Sequence, residues 1–208
     1  MTDADTLASQ GGSGAGAQWQ DRMVTVDQAV AAISPGSHVF VGSACGTPRV
    51  LVHALQEQFI EHRGTQLIHH VTDGLTEGVP GGSSFDHRVF FLSRDVAELV
   101  PHGRVEYVPA ALVDLPRLFS SGQIRIDVAL IQVSEPRSGE VSLGVSVDAA
   151  LAAVEAAHLV IAEVNPAMPW TRGHSTVPVE WIDRFVRVEP EVITYTHPDV
   201  GDGGERIA

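Results

Sequence analysis

The octapeptide Ile126 to Val133, Ile-Asp-Val-Ala-Leu-Ile-Gln-Val, most constrains what this chain can fold into. It is apolar on both faces, which marks a strand covered on both sides, at the centre of a parallel sheet. His38 to Val41 and His158 to Val164 have the same character. Between such runs stand helical patterns. Val26, Ala29, Val30 and Ile33 form one apolar face behind Thr25 to Gln28, which has the form of a capping box. Thr47-Pro48 reads as an N-cap and first-turn pair opening a helix through about His62, and Arg63-Gly64 closes it. Ser93 caps a short helix to Val100, Leu112 to Phe119 is a helix interrupted near Pro116, and Asp148 to Ala157 is an Ala-rich helix. Further strands are expected at Gln66 to Thr72, Arg88 to Leu92 and Arg104 to Val108, with weaker ones at Phe185 to Val188 and Val192 to Tyr195. Gly139 to Leu143 reads as a hairpin arm. The alternation predicts an α/β fold: an open, mainly parallel sheet with helices on both faces.

Three segments fall outside this pattern. Residues 1–22, with Gly-Gly-Ser-Gly-Ala-Gly-Ala at Gly11 to Ala17, are expected to be a disordered tail, because too little apolar surface is available to offset ordering entropy. Asp73 to Asp86 reads as one long loop, and 197–208 as a linker beyond the folded part, 23–196. A formal charge of −13 argues against nonspecific binding to nucleic acid, which needs cations to displace counterions from phosphates. No apolar run reaches the roughly 18 residues of a membrane span. The single cysteine, Cys45, excludes an internal disulfide. With no signal-peptide pattern at the N-terminus, the expected address is the cytoplasm.

In a parallel sheet, ligands bind beyond the carboxyl ends of the strands. The loops to watch are therefore Gly42 to Pro48, Thr72 to Gly82, Ser134 to Ser146 and Asn165 to Thr176. The first, Gly-Ser-Ala-Cys-Gly-Thr-Pro, is built of small residues that let a ligand approach the backbone, and a helix start offers free N–H groups to an anion. The same segment also reads as a plain tight turn between strand and helix. It is neither a dinucleotide fingerprint nor a P-loop. Cys45 is placed to be a nucleophile or to be a small packed residue. Ser142 to Ser146 again permits close approach. Asn165, Arg172 and His174 could hold a carboxylate or an amide, with Arg able to bind in a fork. The ten histidines show no metal-ligand spacing, and adjacent His69 and His70 point to opposite faces of a strand, so no metal site is expected. Glu135, Glu140 and Glu163 lie at or near strand ends, but their spacing marks no paired-carboxylate site.

Five ordered segments together resemble the N-terminal half of the acetyl-CoA hydrolase/transferase family: VTVDQAVAAISPGSHVFVGSACGTP, GRVEYVPAALVDLPRLF, IDVALIQVSEP, EVSLGVSVDAALAAVEAAHLVIAEVNPAMPWTRG and IDRFVRVEPEV, spanning about Val24 to Val192. The resemblance implies a CoA-transferase fold of two tandem α/β domains. It implies transfer of CoA between an acyl-CoA and a short carboxylic acid, through a thioester on an enzyme glutamate. That glutamate belongs to the C-terminal half, so no catalytic residue is expected in this chain, which is either a fragment of a longer protein or a half working with a separate subunit. Little or no turnover is then expected from the chain alone. By position, the implied substrate-binding groups are Gly42, Ser43, Gly46, Thr72, Gln132, Asn165, Arg172 and Gly173. Coenzyme A enters as a substrate, no cofactor is permanently bound, and a homo-oligomer such as a dimer is implied. The family loop usually runs Asn-Pro-x-Met-Pro-Arg-Thr-x-Gly; here Trp170 takes the arginine's place and Arg172 stands two residues later. The segment before Ser142 is shorter than usual. A non-catalytic α/β module binding CoA or a carboxylate, an acyl-CoA hydrolase, and a thiol hydrolase using Cys45 are the competing readings.

Overall fold

The computed structural model describes residues 19–72, 83–189 and 191–195. Seven parallel strands form one sheet in the order β4-β3-β2-β1-β5-β7-β9. They are β1 (His38–Val41), β2 (Gln66–His69), β3 (Asp86–Val89), β4 (Val105–Tyr107), β5 (Val128–Val133), β7 (Leu159–Val164) and β9 (Arg184–Arg187). β6 (Glu140–Ser142) and β8 (Thr176–Pro178) pair antiparallel in a separate ribbon. The three runs expected to be central are β1, β5 and β7, side by side in the middle.

Residues of these strands alternate between two apolar layers, as the two-residue period requires. Val39, Val41, Leu130, Ile161 and Val186 pack with α1 (Val26–Val30), α2 (Arg49–Glu57) and α3 (Arg94–Ala97). Phe40, Ala129, Ile131, Ala162 and Phe185 face the other way, onto α4 (Leu115–Ser120) and α5 (Ala150–Ala156). Helices thus cover both faces. Among the described residues, no helix is long and apolar enough to cross a membrane.

The capping box forms: the Thr25 hydroxyl accepts from the Gln28 N–H, and the Gln28 side chain accepts from the Thr25 N–H. Thr25→Ala is expected to lower stability by about 1 kcal/mol, read as a shifted thermal or urea midpoint.

Several boundaries differ from expectation. β3 begins at Asp86 and ends at Val89, earlier than the Arg88 to Leu92 run, because its ladder with β2 starts at Gln66↔Asp86 and includes the buried His87, a polar residue at an inward position. β6 is the arm of a tight local hairpin, in which Arg137 and Glu140 exchange backbone bonds and the Ser134 N–H reaches the Ser142 carbonyl, and its ladder partner, β8, comes after β7 in the chain. Helix α2 starts at Arg49, not at a Thr47 cap, since the Thr47 hydroxyl donates back to the Ala44 carbonyl, and it ends at Glu57. Val192 to Tyr195 forms no strand; among the described residues, the last backbone bond to the sheet is from the Val188 N–H to the Val164 carbonyl.

Of the expected tail, residues 1–18 lie outside the described residues, as do 73–82 of the long loop and 196–208, which hold the linker. Trp19 to Arg22 are described, and they dock on β9. The Trp19 ring meets Phe185 edge-on at 5.7 Å, and the Arg22 guanidinium lies over the same ring at 5.4 Å. Met23 bridges Phe185 in parallel, which covers the outer edge of the sheet.

Candidate active site

Strand order reverses at β1. The chain runs outward through β2, β3 and β4 on one side, then through β5, β7 and β9 on the other. Beyond the carboxyl ends of β1 and β5, where such a reversal falls, is the place where open α/β sheets take ligands. Two groups of the chain meet there: the turn after β1, and Gln132 near the end of β5.

The turn is Gly42, Ser43, a 3-10 segment Ala44–Gly46, Thr47 and Pro48. The Gly42 N–H donates to the Leu130 carbonyl at 2.9 Å, and the Ala44 N–H to the Val71 carbonyl at 2.6 Å, so the turn is laced to both neighbouring strands. A Cβ on Gly42 would stand 3.0 Å from the Gly46 carbonyl oxygen, and one on Gly46 would stand 2.9 Å from Ser146 Cβ. A side chain at either place would need its neighbour to give way. Ser43 is buried, and among the described residues its Oγ has no hydrogen-bond partner. Cys45 is half-buried on the 3-10 segment.

The helix start behind this turn is not open to an outside anion, as its pattern suggested. Its N–H groups are taken by the chain's own Glu163, at the end of β7. The Leu51 N–H donates to Glu163 Oε1 at 2.7 Å, and the Val50 N–H bonds the same carboxylate. Gln132 Nε2 donates to Glu163 Oε2 at 3.2 Å and to the Thr47 carbonyl at 3.5 Å. Asn165 Nδ2 donates to Gln132 Oε1 at 3.4 Å. Burial pushes the Glu163 carboxyl up to about 7, against the pull of the Leu51, Gln132 and Val50 bonds and the nearby Arg49. Glu163 passed as one strand-end carboxylate among three; its signal was an acid inside the otherwise apolar run Leu-Val-Ile-Ala-Glu-Val, which must find partners if it is buried.

Two more loops close the same rim. Ser142 acts as a clasp: its Oγ accepts from the Thr171 N–H at 3.1 Å and from the Gly144 N–H at 3.1 Å. The Thr171 hydroxyl returns a bond to the Gly144 carbonyl at 2.9 Å. Asn165 Oδ1 accepts from the Ala167 N–H and shapes the loop start. The expected residues Gly42, Ser43, Gly46, Gln132 and Asn165 are thus buried together at the switch point. Arg172 and Gly173 lie farther out, exposed, one and two residues past the clasp. Arg172 pairs with no described residue; Gly173 has a φ of +95°, which favours glycine. Trp170, in the place of the usual loop arginine, is half-buried beneath the Arg137 guanidinium, 5.3 Å from its ring centre. Thr72 is fully buried, with its hydroxyl on His69 Nδ1 at 2.9 Å, while His69 Nε2 meets His87 Nδ1 at 3.0 Å. His70 is half-buried beside Phe91. Among the described residues, no group of three His, Cys, Asp or Glu could hold a metal ion.

The family model described as the acetyl-CoA hydrolase/transferase N-terminal domain matches residues 10–197. The 4-hydroxybutyrate coenzyme A transferase of Clostridium kluyveri is 37% identical over 187 residues, covering 88% of this chain and 44% of that protein. The succinyl-CoA:acetate/propanoyl-CoA:succinate CoA transferase of Fasciola hepatica is 30% identical over 154 residues, 73% of this chain and 32% of that protein. The chain therefore spans less than half the length of these relatives. The crystal structure of 4-hydroxybutyrate CoA-transferase from Porphyromonas gingivalis superposes with a TM-score of 0.68 at 26% identity, covering 86% of this chain and 42% of that one. RipA from Yersinia pestis, at 23% identity with a TM-score of 0.81 over 89% of this chain and 46% of its own, shares the fold. With the family model covering most of the chain and every strand of the sheet, the chain belongs to the acetyl-CoA hydrolase/transferase family, as its N-terminal domain.

Proposed function

We propose that this chain is the acid-binding half of a CoA-transferase. It works with a C-terminal half, in cis or as a separate subunit, that supplies a nucleophilic glutamate. CoA passes onto that glutamate as a thioester while the first acid leaves, and a second short carboxylic acid then takes it. The observation that carries the reading is the convergence, at the switch point of the sheet, of the Gly42–Thr47 turn with the Gln132–Asn165 amide pair. Gly42, Ser43 and Gly46 would let the acid approach the backbone, and Thr72 would stand on its β2 side. Arg172 has its guanidinium uncommitted among the described residues and would meet the carboxylate in a fork, with Gly173 turning the loop behind it. Water reaching the thioester would turn transfer into hydrolysis, so closure by the other half decides the product. Relatives that act on 4-hydroxybutyrate and succinate support short acids as the substrate class. We place the protein in the cytoplasm, as a homo-oligomer.

The test is CoA transfer from acetyl-CoA to butyrate, succinate or 4-hydroxybutyrate, followed by chromatography of the acyl-CoA products. The chain alone is expected to turn over nothing. Joined to its C-terminal half, it should exchange CoA, and Arg172→Ala should raise the acid's KM roughly tenfold. A joined protein that moves CoA to none of these acids would refute the reading.

A further inference from the structure

We propose that Glu163 is a positioning residue of this site: its carboxylate ties the start of α2 to Gln132, and through Gln132 to Asn165, so that one buried group sets both the Gly42–Thr47 turn and the amide pair beside it. The inference rests on the site proposed above and adds a residue that neither touches substrate nor lies on a loop.

The argument is one of donors and acceptors. A carboxylate only accepts, so the group facing Glu163 Oε2 must be the NH2 of Gln132. The same NH2 reaches the Thr47 carbonyl, another acceptor. Gln132 Oε1 is thereby turned toward Asn165 Nδ2. Asn165 in turn keeps Oδ1 for the Ala167 N–H, which starts the loop leading to Thr171 and Arg172. The other carboxylate oxygen holds the Leu51 N–H, directly behind the turn. A proton on Glu163 changes one acceptor into a donor. Gln132 would then have to turn its amide over, which faces its carbonyl oxygen toward Thr47 and its NH2 toward the NH2 of Asn165. Both contacts are then mismatched.

The surroundings make this proton count. Glu163 is fully buried between Gln132 of β5 and the apolar Val186 of β9, its partners in register, with Arg49 of α2 the charged group facing it. An exposed carboxylate would lose little by protonation, whereas here every lone pair that changes has a fixed partner.

Two measurements test the proposal. In the chain as it stands, with side-chain carboxyl and amide labels followed by NMR, Glu163 should titrate near pH 7, and the NH2 signals of Gln132 and Asn165 should shift with the same midpoint. Titration of Glu163 with both NH2 groups unmoved overturns the inference. In the transfer-competent protein, Glu163→Gln is expected to lower kcat roughly tenfold with the fold intact, and to abolish a rise in kcat with pH through about 7. Glu163→Asp, which keeps the charge but shortens the reach, should also lower kcat and keep the inflection. Equal kcat and equal pH profiles in wild type and Glu163→Gln overturn the inference while the transferase reading stands. A wild type without transfer sinks that reading alone, and the NMR titration then decides Glu163. If Glu163→Gln does not fold, Glu163→Asp and the titration decide it.

Discussion

Gly144→Ala is expected to cost about 2–4 kcal/mol and to loosen the loop that carries Arg172. Gly144 has a φ of +65°, where an L side chain is strained by about 1 kcal/mol. Its neighbourhood adds more. A Cβ there would lie 2.2 Å from Met168 Sδ and 2.5 Å from Met168 Cγ, and Met168 is itself buried. The methionine must leave its place, and overpacking of this kind costs about 1–3 kcal/mol. Its departure also pulls on the clasp, because Gly144 gives its N–H to Ser142 and its carbonyl to Thr171. In a chain of this size the loss should appear as a fall in melting temperature of roughly 5–15 °C. Gly36→Ala is the control: its φ is +76°, but nothing lies within 4 Å of the added Cβ, so about 1 kcal/mol is expected. Urea unfolding of the two variants checks the argument. Equal losses would mean that the Met168 contact holds nothing in place.

This pair also shows what a sequence can and cannot disclose. The central strands were legible because burial on both faces forces an unbroken apolar run, as at Val128–Val133. The capping box at Thr25 was legible because both its partners lie within four positions. The true cap of α2 was not, because Glu163 is separated from Leu51 by more than half the chain and only the parallel pairing of β5 with β7 brings it there. Thr47-Pro48 looked like a helix start, and the hydroxyl was spent on the 3-10 turn instead. The four loops were legible as candidates from their positions after strands. Which of them meet was not, since this depends on strand order, and strand order is set by long-range packing. Gly46 against Ser146, Gly144 against Met168 and Ser142 against Thr171 are all contacts between loops of different strands.

Stability should fall in acid, and Glu163→Gln should make it fall faster. Burial, with Arg104 nearby, lowers the His87 imidazole to about 4, and burial beside His87 and His70 holds His69 well below its ordinary value. The folded chain therefore keeps both rings neutral where the unfolded chain already binds protons. Their contribution is fully present above pH 6.5 and is lost as pH falls, for His87 toward about 4 and by about 3 kcal/mol. Glu163 works in the opposite sense. Its folded value of about 7 lies above the ordinary 4.5, so its contribution is fully present below 4.5 and is lost as pH rises to 7, again by about 3 kcal/mol. Across the shared window Glu163 offsets His87, and His69 is left to set the slope. Glu163→Gln removes the offset. Between pH 7 and 4.5 the variant is expected to lose about 3 kcal/mol more than the wild type, while His87→Asn should shed a similar part of the acid loss. Urea unfolding of the three proteins at pH steps across this range measures both. Parallel curves for wild type and Glu163→Gln would mean that the carboxylate is already ionised throughout. The buried link between α2 and Gln132 would then carry no proton in this range, and acid would act on the histidine pair alone.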